Sequence, residues 1–145
     1  MSGVRPRLSH VGPNTYPVGE AIKGGMVVQA NADGLLRKGT ADSLIVLGVA
    51  EADAKPWVDP VSTDADGFEV INTSPLPDHV AVGMGRYTVT YTANCAWGQA
   101  LKAGANGAVT PVAADGDPRL IIGYCDEPAG VVVATKATGL ANISR

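Results

Sequence analysis

The sequence predicts a mainly β protein: one small domain of short strands with an internal pseudo-duplication, an extended N-terminal arm and a long acidic loop. Three observations lead there. The 145 residues are 46% hydrophobic and only 17% charged, and 18 Gly and 10 Pro cut the apolar content into short runs. Such punctuation favours strands and turns over helices. Residues 86–92 then show the period directly. Tyr87, Val89 and Tyr91 alternate with Thr88, Thr90 and Thr92, placing aromatics on one face of a strand and hydroxyls on the other. Finally, a chain of this length is most simply one domain, able to bury about 70% of the surface its unfolded form exposes.

The arm comes first. Residues 1–17 hold Arg5, Arg7, Leu8 and Tyr16 among three prolines and no acid, a composition that cannot fold alone and reads as extended. Residues 18–145 form the β domain. Within it, 26–30, 44–50, 80–84, 120–125 and 131–135 are short β-branched or apolar runs bounded by Gly, Asp, Asn or Pro, and read as strands. Residues 93–101 leave room for a turn or two of helix; elsewhere Gly or Pro interrupts any helical stripe.

A seven-residue pattern repeats. Gly19-Glu20-Ala21-Ile22-Lys23-Gly24-Gly25 is echoed by Gly98-Gln99-Ala100-Leu101-Lys102-Ala103-Gly104. Each copy is followed by an Asn- and Gly-bearing turn (31–34 and 106–107) and then by an apolar strand that contains a glycine, Gly48 or Gly123, and ends in acid. The pattern reads as a degenerate duplication in which Ile22 or Leu101 enters the core and Lys23 or Lys102 stays in solvent. Neither lysine has the desolvated setting that catalysis requires.

Residues 51–79 fall outside the duplication. This Pro-rich loop carries seven acids (Glu51, Asp53, Asp59, Asp64, Asp66, Glu69 and Asp78) against Lys55, with Trp57 and Phe68 among them. A loop of that length is a place for contacts. Trp57 is expected to anchor the loop or an interface, and Trp97 to lie in the core.

The chemistry of catalysis has no motif here. The chain has no G-x-S-x-G, H-E-x-x-H, Walker loop or C-x-x-C. Gly83-Met84-Gly85 begins like a dinucleotide fingerprint, but Thr88 stands where the third glycine belongs, so it reads as a turn. Asp64-Ala65-Asp66-Gly67 resembles part of a calcium loop, yet Phe68 and Pro75 occupy ligand positions, leaving a solvated turn. Cys95, Cys125, His10 and His79 have no metal-ligand spacing. The cysteines read as small buried hydrophobes or, under oxidising conditions, as a disulfide. No enzyme activity, metal or cofactor is therefore expected. A net charge of −3 argues against a general nucleic-acid binder. No apolar run spans a bilayer and the N-terminus lacks the apolar centre of a signal peptide, so a soluble chain made in a cytoplasm is expected, with no membrane partner.

The pattern G-x-A-I-x-x-G-x-x-V-x-x-x-A-D-G (Gly19 to Gly34), followed by L-G-V-A-E (Leu47 to Glu51), resembles the small head decoration or capsid cement proteins of tailed bacteriophages. The second half fits the same plan, with I-I-G-Y-C-D-E (Ile121 to Glu127) and valines at 131–133. The resemblance covers residues 17–135. It departs from the family in the long loop and in the arm. It implies a non-enzymatic virion protein, made in the host cytoplasm, that binds the outer capsid surface. Its partners would be the major capsid protein and other copies of itself, commonly as homotrimers at three-fold positions, with no direct nucleic-acid contact. Arg5, Arg7, Leu8, Tyr16, Trp57 and Phe68 are the expected capsid or subunit contacts. The alternative is a carbohydrate- or receptor-binding β module stacking sugars on Trp57 and Trp97; a small hydrolase using acid pairs of the loop is a third reading.

Overall fold

The computed structural model describes residues 13–58, 61–71 and 76–144. It is mainly β, with three antiparallel sheets. The first sheet contains β1 (Asn14–Pro17), β2 (Val27–Gln29), β3 (Arg37–Lys38), β4 (Val46–Ala50) and β7 (His79–Gly83), in the order β1-β7-β4-β2-β3. Between β4 and β7, β5 (Val61–Thr63) and β6 (Glu69–Ile71) pair with each other as a separate two-stranded sheet. The remaining sheet has β8 (Gly85–Thr90), β9 (Ala100–Ala103), β10 (Val109–Pro111), β11 (Gly123–Cys125) and β12 (Thr138–Ile143), in the order β10-β9-β11-β12-β8.

Read backwards, the second order is the first with β8, β9, β10, β11 and β12 replacing β1, β2, β3, β4 and β7. The isolated bridges repeat as well. Val18 bridges Leu36 in parallel as Tyr91 bridges Val109, and Ile22 bridges Ala54 antiparallel as Cys95 bridges Val131. The duplication is therefore real, with a register that differs from the sequence reading. Val18 corresponds to Tyr91, Ile22 to Cys95, and Gly25 (φ +87°) to Gly98 (φ +81°). The echoed heptads are not equivalent, because 19–25 is a bend whereas 98–104 runs into β9. The strand glycines do correspond, since Val28 pairs with Gly48 as Leu101 pairs with Gly123.

Those two glycines have one physical cause. A Cβ on Gly48 would strike the carbonyl oxygen of Gly83, and a Cβ on Gly123 the carbonyl oxygen of Asn142, the corresponding residue of the neighbouring strand. Only glycine lets the two strands approach this closely.

The core follows the same correspondence. In the first half Val18, Ile22, Val28, Leu36, Ala50, Ala54 and Val82 form a buried cluster. Their counterparts Tyr91, Cys95, Leu101, Val109, Cys125, Val131 and Ala141 belong to the second cluster. The two cysteines thus stand where Ile22 and Ala50 stand. Both are buried free thiols, as their reading as small hydrophobes anticipates, and burial together with the neighbouring Cys125 pushes the Cys95 thiol up to about 12. It remains protonated and inert at neutral pH.

Several elements differ from expectation. Residues 14–17, assigned to the arm, are an edge strand paired with β7. Residues 131–135 are a bridge and turns instead of a strand, and 93–101 hold bends that lead into β9, with no helix. The acidic loop contains the β5–β6 hairpin, turned by Asp64-Ala65-Asp66-Gly67. There Asp64 Oδ1 accepts from the backbone N–H groups of Asp66 (3.0 Å) and Phe68 (2.9 Å), and Gly67 supplies φ +86°. The alternation over 86–92 holds: Val89 and Tyr91 are buried, Tyr87 is half-buried and the threonines are exposed.

Gly48→Ala and Gly123→Ala should each lower unfolding free energy by about 1–3 kcal/mol in urea titrations. Gly34→Asn is the control, in a left-handed turn with open space around it (φ +78°), and should cost less than about 1 kcal/mol.

Candidate functional site: the hairpin, the seam and the Trp97 surface

All the described residues of the hairpin are exposed, on both faces. Side-chain alternation puts Val61, Thr63, Glu69 and Ile71 on one face and Ser62, Phe68 and Val70 on the other. Trp57 and Phe68 are 72% and 70% exposed, and Ile71 71%. The root is closed by the Ile22–Ala54 bridge and by the Lys55 N–H donating to the Pro77 carbonyl (3.0 Å). A two-stranded hairpin without a core is marginal in water. This one displays Trp57, Phe68 and Ile71 as exposed apolar surface.

A second feature lies at the seam between the halves. Tyr87 on β8 donates its phenol hydrogen to Glu51 Oε1, just beyond β4, at 2.6 Å. Gly83 makes room for the pair, since a Cβ there would collide with both groups. The bond to the carboxylate, and then burial, push the Tyr87 phenol up to about 12. Cavities open on either side. One of about 680 Å³ is lined by Lys23, Met26, Thr88, Thr90 and Thr138, and another of about 460 Å³ by Tyr16, Leu47, Val82 and Met84. Lys102 also crosses the seam, meeting Asp42 at 2.7 Å.

The third feature corrects the sequence reading. Trp97 is not in the core: it is 64% exposed, beside a shallow cavity of about 350 Å³ lined by Asn94, Pro128, Ala129 and Val132. It occupies the position of Gly24 in the first half, a bend that points outward. That correspondence is the signal that identifies it.

Of the expected contact residues, Trp57 and Phe68 lie with the hairpin. Tyr16 is set apart, half-buried against the first core cluster. Arg5, Arg7, Leu8 and His10 lie outside the described residues. His79 is exposed, its Nδ1 2.8 Å from Asp78, and that bond holds the Asp78 carboxyl below the usual range. Among the described residues no three of His, Cys, Asp and Glu group as metal ligands, and no helix is long and apolar enough to cross a membrane. The chemistry this surface offers is apolar and acidic contact.

No protein-family model and no curated protein matches the chain. Its fold is similar to that of the bacteriophage phi29 gene product 12 C-terminal fragment, with 16% identity and a TM-score of 0.56 over 92% of this chain and 98% of that one. The head fiber gp8.5 N base of bacteriophage phi29 aligns with 14% identity and a TM-score of 0.47 over 91% of this chain and 92% of that one. At 16% identity the likeness to the gene product 12 fragment is one of fold.

Two outcomes are expected. Replacing residues 57–75 by a short Gly-Asn-Gly turn should cost less than about 1 kcal/mol in chemical denaturation, because none of the described residues in that segment belongs to either core. Tyr87→Phe should change the alkaline limb of stability. The folded phenol titrates above its ordinary value of 10.0, so the contribution of its bond is complete below about pH 10 and fades as pH rises towards 12. The advantage of wild type over Tyr87→Phe, on the order of 1 kcal/mol after solvent screening, should shrink across that window.

Proposed function

We propose that this chain is a non-enzymatic structural protein of a tailed-bacteriophage virion, one that sits on the outer capsid surface and stabilises contacts between major capsid subunits. The observation that carries the reading is the hairpin, which displays Trp57, Phe68 and Ile71 outside both cores on a rigid β scaffold. Large aromatics held in the open are the residues that dominate interface energetics once covered. The turn-and-strand motifs shared with decoration proteins support the same assignment, and the fold is one also used by a bacteriophage phi29 gene product. Acids on the hairpin suit a protein surface and oppose packaged DNA, whose phosphates would repel them.

The mechanism is linkage. A protein that binds the assembled lattice and not separated subunits stabilises the lattice by mass action. Several copies acting together, as a homotrimer on the shell, would let modest contacts add through high effective concentration. The arm, with Arg5, Arg7 and Leu8, is a second attachment point in this reading. The exposed Trp97 favours a second reading, a glycan- or receptor-binding module on the virion surface.

Shells carrying the protein should melt at higher temperature than bare shells at matched DNA content. Trp57→Ala/Phe68→Ala should reduce capsid occupancy about tenfold or more, and removal of residues 2–12 should weaken attachment with the β domain still folded. Equal melting would remove the stabilising role; glycan-array retention lost on Trp97→Ala would put the second reading in its place.

A further inference from the structure

The two halves match strand for strand, but they are not covered alike. In the first half the outward face of β2 and β4 carries Val27, Val46 and Val49, which are 0%, 6% and 0% exposed because they pack into the core of the second half. Strand pairing makes Ala100 and Tyr124 the counterparts of Val27 and Val49, which pair in the same way, and Ile121, two residues before Gly123, stands where Val46 stands before Gly48. Among the described residues that face is left partly open: Ala100 and Ile121 are half-buried and Tyr124 is 52% exposed.

The receiving surface shows the converse asymmetry. In the second half Val89, Ile122 and Ile143 belong to the cluster that Val27, Val46 and Val49 join, and they are 1%, 1% and 0% exposed. Their counterparts in the first half are Tyr16, Leu47 and Met84. These line the cavity of about 460 Å³, where Met84 is 61% exposed. Among the described residues each molecule therefore carries one used pair of complementary faces and one that is left open.

We infer that copies of this chain associate head to tail, the β9–β11 face of one copy, led by Tyr124, seating in the Tyr16–Leu47–Met84 cavity of the next. The contact repeats between chains what the seam does within one. The occupant is a second copy because this chain itself displays the matching face, unused, on its other half. Both surfaces are apolar at their centres, and Glu51 and Tyr87 on the rim offer a carboxylate and a phenol for polar closure. Donor and acceptor differ, so the contact is heterologous and gives a ring if the rotation closes, an open chain if it does not. This deepens the self-association in the proposed function and leaves the hairpin free for the capsid.

The test uses the full chain with a photo-activatable benzophenone amino acid in place of Met84, a surface position, in a mixture of ¹⁵N-labelled and unlabelled protein. Mixed-isotope cross-links from residue 84 to the peptide that holds Tyr124 are expected. Tyr124→Lys, also at an exposed position, should reduce them about tenfold, and Tyr124→Phe should retain them. Capture of residues 1–12 instead, a segment that enters the domain at Pro13 on the rim of the same cavity, would overturn the inference. So would scattered cross-links, their absence, or indifference to Tyr124→Lys. None of these results would touch capsid attachment through Trp57 and Phe68, which is read separately from shell occupancy.

Discussion

Val27 and Val28 are neighbours on β2, point to opposite faces, and are both 0% exposed. A sheet of strands two to five residues long can bury one face against its own bends, as Val28 does with Ile22 and Leu36. It cannot bury the other. The second half supplies that cover, and each fully buried valine contributes roughly 1.5–3 kcal/mol. Small sheets of this kind are stable as a pair, and the rest of the molecule is arranged around keeping the pair in register.

The polar contacts across the seam make sense in that light. Tyr87 to Glu51 and Lys102 to Asp42 join the halves at the border of the valine contact. Exposed pairs of this sort add little energy alone. Their value is positional, since a sliding or rotated seam would separate both at once. The apolar centre supplies the attraction and the rim fixes its geometry.

Much of this was legible in the sequence. The alternation of Tyr87, Val89 and Tyr91, the glycines at 48 and 123 and the existence of a duplication follow from period and turn chemistry. The register of the duplication did not, because the most similar heptads, at 19–25 and 98–104, serve as a bend in one half and a strand in the other. Backbone pairing decides equivalence, and a heptad rich in Gly, Ala and Lys carries little of it. Trp97 was misplaced for the same reason: with the register shifted, nothing revealed that it stands at the outward bend held by Gly24. The hairpin was within reach, since Val61-Ser62-Thr63 and Glu69-Val70-Ile71 flank an Asp-Ala-Asp-Gly turn.

The insertion of that hairpin into only one half has a consequence for function. The second half links Val131 to Ala137 by a tight turn where the first half spends residues 55–77. Folding does not demand the extra length, for the shorter connection closes the same sheet. A segment that displays Trp57, Phe68 and Ile71 to water adds solubility cost and loop entropy with no return in core burial. In the proposed function such a segment is explained by what it would touch, and its footing beside Ala54 and His79, at the ends of elements that hold buried residues, would give that contact a direction. A duplicated β scaffold of this kind can separate two tasks: the paired sheets hold the molecule together, and the hairpin inserted in the first half stands outside both cores.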